Sequence, residues 1–541
     1  MFNRIKASAT PRKMLALLTA LTTALGPSVS PAFAASKPTS KNMPIQHIVV
    51  IFNENISFDH YFGTYPTALN PKGEPQFHAL PGTPTVNGFT TALLNFNPNL
   101  NTANGAGATN PFRLDRSQAV TADQDHDYTA EEIGFDAGAM DLFPASMGTA
   151  GPPPSGGGIV DTTGLTMGYF DGNTVTALWN YAQNFAMNDN SFSSTFGPST
   201  PGVINLISGQ TNGAVKTLNG TGGEVDGGNG SLTVIGDPDP LNDVCSNPTG
   251  GQVQMGATNI GDLLSAAGVT WGSFMGGFNL NIKNPNGTTG CARSSTGLAG
   301  TTADYVPHHS FFEYYASTAN PNHTRPKSIA EIGNAGPANH EYDTDDFFAA
   351  VKAGNFPAVN FLKAPAYQDG HAGYSDPIDE QHFIVKVINF LEAQPDWDST
   401  AVVILYDDSD GWYDHQMSPI VNQSTGPADA LTGPDACGTA TNSLPGIDSG
   451  NAHALGRCGY GPRQPLLVIS PWARQNFVDH TVTDQTSVIR FIEDNWLGGQ
   501  RLPAGSFDGI ASSISQMFDF SRAARQNGRL LLDPNTGEPA R

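Results

Sequence analysis

The sequence predicts an α/β fold: a central, mostly parallel sheet flanked by helices, with long loop insertions. Three observations carry that expectation. Unbroken apolar runs of strand length recur at 48–52 (IVVIF), 401–406 (AVVILY) and 465–470 (PLLVIS), and such runs suit strands buried on both faces. The first two end abruptly in polar clusters, as strands do when their carboxyl ends open on a ligand crevice. Gly (60) and Pro (40) together supply 100 of 541 residues while 14% are charged, a composition for ordered loops rather than a helical bundle.

Residues 1 to about 34 read as a secretory leader. Arg4, Lys6, Arg12 and Lys13 form a positive start, 14–25 a short apolar core, and Ala32-Phe33-Ala34 a cleavage motif. The apolar stretch is too short to span a bilayer. The expected product is exported, periplasmic or secreted, and keeps no integral membrane segment. Losing those four cations takes the formal charge from −23 to −27, which argues against nucleic acid as a stable partner. Cys245, Cys291, Cys437 and Cys458 all lie in loop-like sequence. In an exported protein they imply two disulfides, with 245–291 and 437–458 the most local pairing. Residues 35–541 are expected to form a single domain with insertions near 64–122, 211–257 and 416–460.

The first strand ends in Asn53-Glu54-Asn55, followed by Ser57. These residues suit a turn and helix cap, and equally a carboxylate beside amides placed for a cation. Loop-like sequence leads to Asp123-Gln124-Asp125-His126-Asp127, either a solvated acidic turn or part of a phosphate or metal site. Apolar residues at helical spacing over 174–186 run into GPSTPG (197–202), where Pro201 suits a first helical turn. Ser199 or Thr200 therefore sits at a helix N-terminus, as an N-cap or as a nucleophile beside N–H groups that favour an anion. Residues 211–257 read as glycine-rich loop, 259–267 as helix and 269–275 as strand. His308 and His309 follow in an aromatic setting (YVPHHSFFEYY).

A strand at 358–363 leads to QDGHAGYSD, where glycines flank His371, and then to a helix over 377–393. The strand at 401–406 ends in DDSDGWYDH. Paired acids at the end of a buried strand repel each other and are costly without a cation. One more strand (465–470) and a helix (485–496) close the pattern, and the chain after about 510 reads as peripheral.

Together ENISFDHYFG (54–63), DQDHDY (123–128), DNSFSSTFGPSTPG (189–202), PHHSFFEYY (307–315), QDGHAGYSDP (368–377) and DDSDGWYDH (407–415) resemble the bacterial phosphoesterase family of secreted acid phosphatases and phospholipases C. That family is an alkaline-phosphatase-like branch. The resemblance implies an alkaline-phosphatase-like sheet and a metal-dependent phosphoric ester hydrolase. It makes Ser199 the nucleophile and Glu54, Asn55, Ser199, Asp407 and Asp408 the ligands of one divalent ion. His126, His371 and one of the pair 308/309 would contact phosphate oxygens or serve the leaving group, with His308 favoured. An oxygen-rich ligand set suits a hard ion such as Ca²⁺, Mg²⁺ or Mn²⁺. The expected substrate is a small phosphate ester or a phospholipid head group. Ser at 199, where the phospholipase members resemble a Thr pattern, favours an acid phosphatase; phospholipase C is the alternative, and a secreted binding protein without catalysis the third reading.

Overall fold

Strand β1 (His47–Asn53) lies inside a nine-stranded sheet. The others are β2 (Ala186–Phe192), β3 (Trp271–Met275), β4 (Glu341–Asp343), β5 (Val359–Lys363), β6 (Thr400–Tyr406), β7 (Arg463–Ile469), β8 (Phe477–Asp479) and β9 (Thr483–Asp484). The computed structural model describes residues 43–148, 163–219, 223–433, 436–438, 446–447, 453–521 and 529–540; the leader read at 1–34 lies outside them. Strand order is β4–β3–β5–β1–β6–β7–β2–β8, with β9 also paired to β2. Every pairing is parallel except β6–β7 and β7–β2. The expected α/β class with a mostly parallel sheet is what the chain adopts.

The apolar runs behave as their composition dictates. From Ile48 to Phe52, and throughout β5, β6 and β7, every residue is buried, and each Val, Ile or Leu taken from water contributes roughly 1.5–3 kcal/mol. The helices that position the site are α1 (Phe58–Phe62), α2 (Tyr128–Phe135), α3 (Thr176–Asn184), α4 (Ser199–Ser208) and α5 (Pro377–Glu392). Asp376 caps α5 by accepting from the N–H groups of Ile378 and Asp379, and Pro377 opens its first turn. All ten residues of α4 are buried.

Two segments differ from the sequence reading. Residues 186–192 (AMNDNSF), which follow the helix read over 174–186 and were not read as a strand, form the buried strand β2. Its polar groups are met inside the protein: Asn188 donates to Asp479 and to the Thr481 carbonyl, and Asp189 accepts from the Asn87 N–H. Residues 211–257, read as loop, carry a five-stranded sheet that includes Asn212–Leu218 and Gln252–Met255. Those strands are short and partly exposed, so no apolar run announced them. Both expected disulfides are formed, Cys245–Cys291 and Cys437–Cys458. Among the described residues no helix is long and apolar enough to cross a membrane.

Candidate active site

Three parallel strands end side by side at the centre of the sheet. In register, Asn53 of β1 faces Tyr406 of β6, and Ile51 faces Leu362 of β5. The next residues of each chain therefore meet: Glu54 and Asn55 after β1, Asp407 and Asp408 after β6, and Lys363 closing β5. Backbone bonds lock the turns together, from Ile56 N–H to the Asp408 carbonyl (2.9 Å) and from Glu54 N–H to the Asp369 carbonyl (3.0 Å).

Helix α4 brings Ser199 onto this junction. Its hydroxyl lies 2.9 Å from Glu54 Oε2 and 3.1 Å from Asp408 Oδ2, and all three residues are buried. The approach depends on Gly202, where a Cβ would come within 2.4 Å of the Asp407 carbonyl. Thr200 N–H at the start of α4 donates to Asp237 (2.8 Å), so one of the N–H groups expected to face an anion is already engaged.

Two further buried acids brace the junction. Glu131 on α2 accepts from the Gly197 N–H just before Ser199 and from the Ser409 hydroxyl just after Asp408. Glu380 on α5 accepts from Asn53 (2.8 Å), Tyr406 (2.7 Å) and Tyr61 (2.9 Å). It thereby ties together the last residues of β1 and β6.

The histidines separate into two groups. His126 sits with its Nε2 3.4 Å from Asn55 Nδ2, its Nδ1 held by the Gln124 carbonyl (2.7 Å), and Asp123 and Asp410 3.7 Å from Nδ1. His371 binds the Ala372 carbonyl through Nδ1, and its ring lies about 6 Å from those of His126 and His309. His309 is buried with Nδ1 3.3 Å from Glu54 Oε1 and 3.8 Å from Asp369. The favoured His308 instead turns to Asp239 at 3.7 Å and keeps 29% of its side chain exposed. The structure thus groups Ser199, Glu54, Asn55, Asp407, Asp408, His126 and His371, adds His309, and sets His308 beside the cluster.

Electrostatics follow from burial and sign. Burial, with the Asp407 charge, pushes the Glu54 carboxyl well up; burial raises Asp408 to about 8 against the pull of His126. Burial also acts to raise Asp407, but Lys363 and two N–H donors outweigh it and hold it low. Burial would lower His126, yet Asp408, Asp410 and Asp123 raise it well above the usual imidazole range. His371 and His309 are lowered, by burial first.

The donor set fits a hard divalent ion. One hydroxyl proton cannot serve both carboxylate oxygens that flank Ser199 Oγ, and Asn55 Oδ1 is buried with no hydrogen-bond partner. A cation among these oxygens answers both conditions. A second group, Asp123, His126, His371 and Asp410, has potential ligand atoms within 4.8 Å of one another. The sequence reading missed Lys363, Glu131, Glu380 and Asp369. Lys363 had a signal: a cation closing an apolar strand whose parallel neighbours end in acids.

The phosphoesterase family model matches residues 45–497. The non-hemolytic phospholipase C of Pseudomonas aeruginosa is 26% identical over 460 residues, covering 84% of this chain and 54% of that protein. Phospholipase C A of Mycobacterium tuberculosis is 23% identical over 527 residues, 94% of this chain and 84% of that one. The chain spans about half the length of the first of these relatives. Among solved structures, murine ectonucleotide pyrophosphatase/phosphodiesterase 5 covers 64% of this chain and 95% of its own, at 12% identity and a TM-score of 0.29.

Proposed function

The chain belongs to the phosphoesterase family, and from that premise we propose that it hydrolyses phosphoric esters with Ser199 as nucleophile. The observation that carries the reading is the buried Ser199 hydroxyl between Glu54 Oε2 and Asp408 Oδ2, at the meeting of adjacent strand ends. Glu54, Asn55, Ser199, Asp407 and Asp408 would hold one hard divalent ion (Ca²⁺, Mg²⁺ or Mn²⁺), whose charge when bound would lower the hydroxyl's pKa and offset phosphate oxygens.

The chain's own groups then divide the proton work. Ser199 Oγ attacks phosphorus while its proton passes to solvent. The phosphorus–oxygen ester bond breaks, and the alcohol leaves with a proton from His126, which its acidic neighbours keep charged. Water next attacks the phosphoserine and gives a proton to His371, kept neutral by burial. Ser199 departs with a proton from solvent, releasing phosphate, and the proton on His371 returns through solvent to His126, which restores both rings. Two imidazoles pushed in opposite directions suit one acid and one base role. His309, rather than His308, completes the cradle around the phosphate oxygens. Phosphoryl transfer asks mainly for this kind of positioning and charge offset.

Of the ester classes, we take phosphate monoesters first, an acid phosphatase activity favoured by Ser at 199. A phosphatidylcholine-type phospholipase C is the second reading, favoured by the two named relatives. Assays of p-nitrophenyl phosphate beside phosphatidylcholine and p-nitrophenylphosphorylcholine separate the two. Diacylglycerol release without monoester turnover replaces the first reading with the second, and no turnover of any of them removes both. The exported, periplasmic or secreted location remains part of the proposal; the two disulfides support it.

A further inference from the structure

Lys363 ends β5 with only 1% of its side chain exposed, among acids from three strands. Its ammonium pairs with Glu54 Oε1 and lies 3.3 Å from Asp407 Oδ2. The rings of Phe52 and Phe311 stand 5.1 and 5.9 Å away, a setting that favours a cation. Taking an ammonium out of water is costly unless opposite charges meet it, and here two do, with Asp369 adding to the field.

The oxygens are shared out. Glu54 gives Oε1 to Lys363 and Oε2 to Ser199. Asp407 gives Oδ2 to Lys363 and Oδ1 to the N–H groups of Asn55 and Asp408. Lys363 and Ser199 therefore use different oxygens of Glu54. Four carboxyl groups converge here (Glu54, Asp369, Asp407 and Asp408).

We propose that Lys363 is a built-in cation of the active site. It is a positioning residue that fixes which oxygen of Glu54 reaches Ser199 and holds the acidic strand ends together with or without a divalent ion. The first half of that statement rests on the Ser199 reading; the second does not.

The test replaces the charge and keeps the shape. Lys363→Met leaves an unbranched apolar chain beside the two phenyl rings. After exhaustive chelation its melting temperature is expected to fall by about 3–5 °C against wild type, and Mn²⁺ alone is expected to raise it more than it raises wild type. With Mn²⁺ saturating, kcat for p-nitrophenyl phosphate is expected to drop about 10–100-fold, as for lost support of a metal site, while KM stays within about threefold. A chelated variant as stable as wild type, or one with full turnover, overturns the proposal. If wild type hydrolyses no phosphoester, the hydrolase reading fails, while the chelated melting temperatures still judge Lys363. Should the variant not be recovered folded, a crystal structure of Mn²⁺-loaded wild type decides. Nζ still paired with Glu54 and Asp407 upholds the assignment, and Nζ displaced from either by the ion overturns it.

Discussion

Replacing Ser199 by Ala separates a catalytic role from a structural one because the two losses differ in size. The hydroxyl lies between two carboxylate oxygens at 2.9 and 3.1 Å, but it has one proton and makes one charge-assisted hydrogen bond, worth roughly 1.5–3 kcal/mol. With an unfolding entropy of about 1 kcal/mol/K for a chain of this size, that bond moves the melting temperature by about 2–3 °C. The nucleophile is another matter. Without it no phosphoserine forms, and turnover should fall at least ~10⁴-fold, a barrier increase of about 5.5 kcal/mol. The assay is initial rates on p-nitrophenyl phosphate with saturating divalent ion, beside thermal unfolding of the chelated variant. A folded Ser199→Ala protein with more than about one per cent of wild-type kcat/KM would refute the nucleophile assignment.

Four further outcomes are expected. Exhaustive chelation should abolish turnover and Ca²⁺, Mg²⁺ or Mn²⁺ should restore it; full activity after chelation removes the ion from the proposal. Glu380→Gln keeps acceptors for Asn53 and Tyr406 but sets an amide toward Tyr61, so Mn²⁺ affinity by calorimetry should weaken about 10–100-fold; an unchanged affinity would mean that the tie between β1 and β6 does not govern the site. Glu132, pushed to about 8 chiefly by burial, binds its proton more tightly folded than at its ordinary 4.5. Its stabilising contribution is therefore complete below about pH 4.5 and lost as pH rises through about 8, so Glu132→Gln should flatten the fall in stability over that window. Replacing Cys437 and Cys458 with Ser should cost about 3 kcal/mol, from the 21-residue separation they span, with kcat unchanged; denaturant unfolding and steady-state rates check the two halves.

Some of this protein was legible from its sequence alone, for a local reason. The strands 48–52 and 401–406 announce themselves because burial on both faces demands unbroken apolar residues, and their acidic ends stand out because such groups are expensive there. The Ser199 turn is legible from Pro201, whose backbone demand is local, whereas Gly202 answers to the Asp407 carbonyl from another strand end. The cysteine pairing follows from short separations in the chain. Strand β2 escaped notice because its Asn and Asp side chains are satisfied by residues 102 to 293 positions away, a partnership no local pattern records. The small sheet within 211–257 escaped because short, half-exposed strands need no apolar run. Which histidine faces Glu54 was likewise beyond the sequence: His308 and His309 are neighbours of the same type, and only packing turns one inward and the other to Asp239. The tertiary structure also decided how charge is balanced. Sequence composition showed the acids Glu54, Asp407 and Asp408, but the parallel register of β5, β1 and β6 brings Lys363 among them. Long-range register, not local chemistry, sets which charges meet.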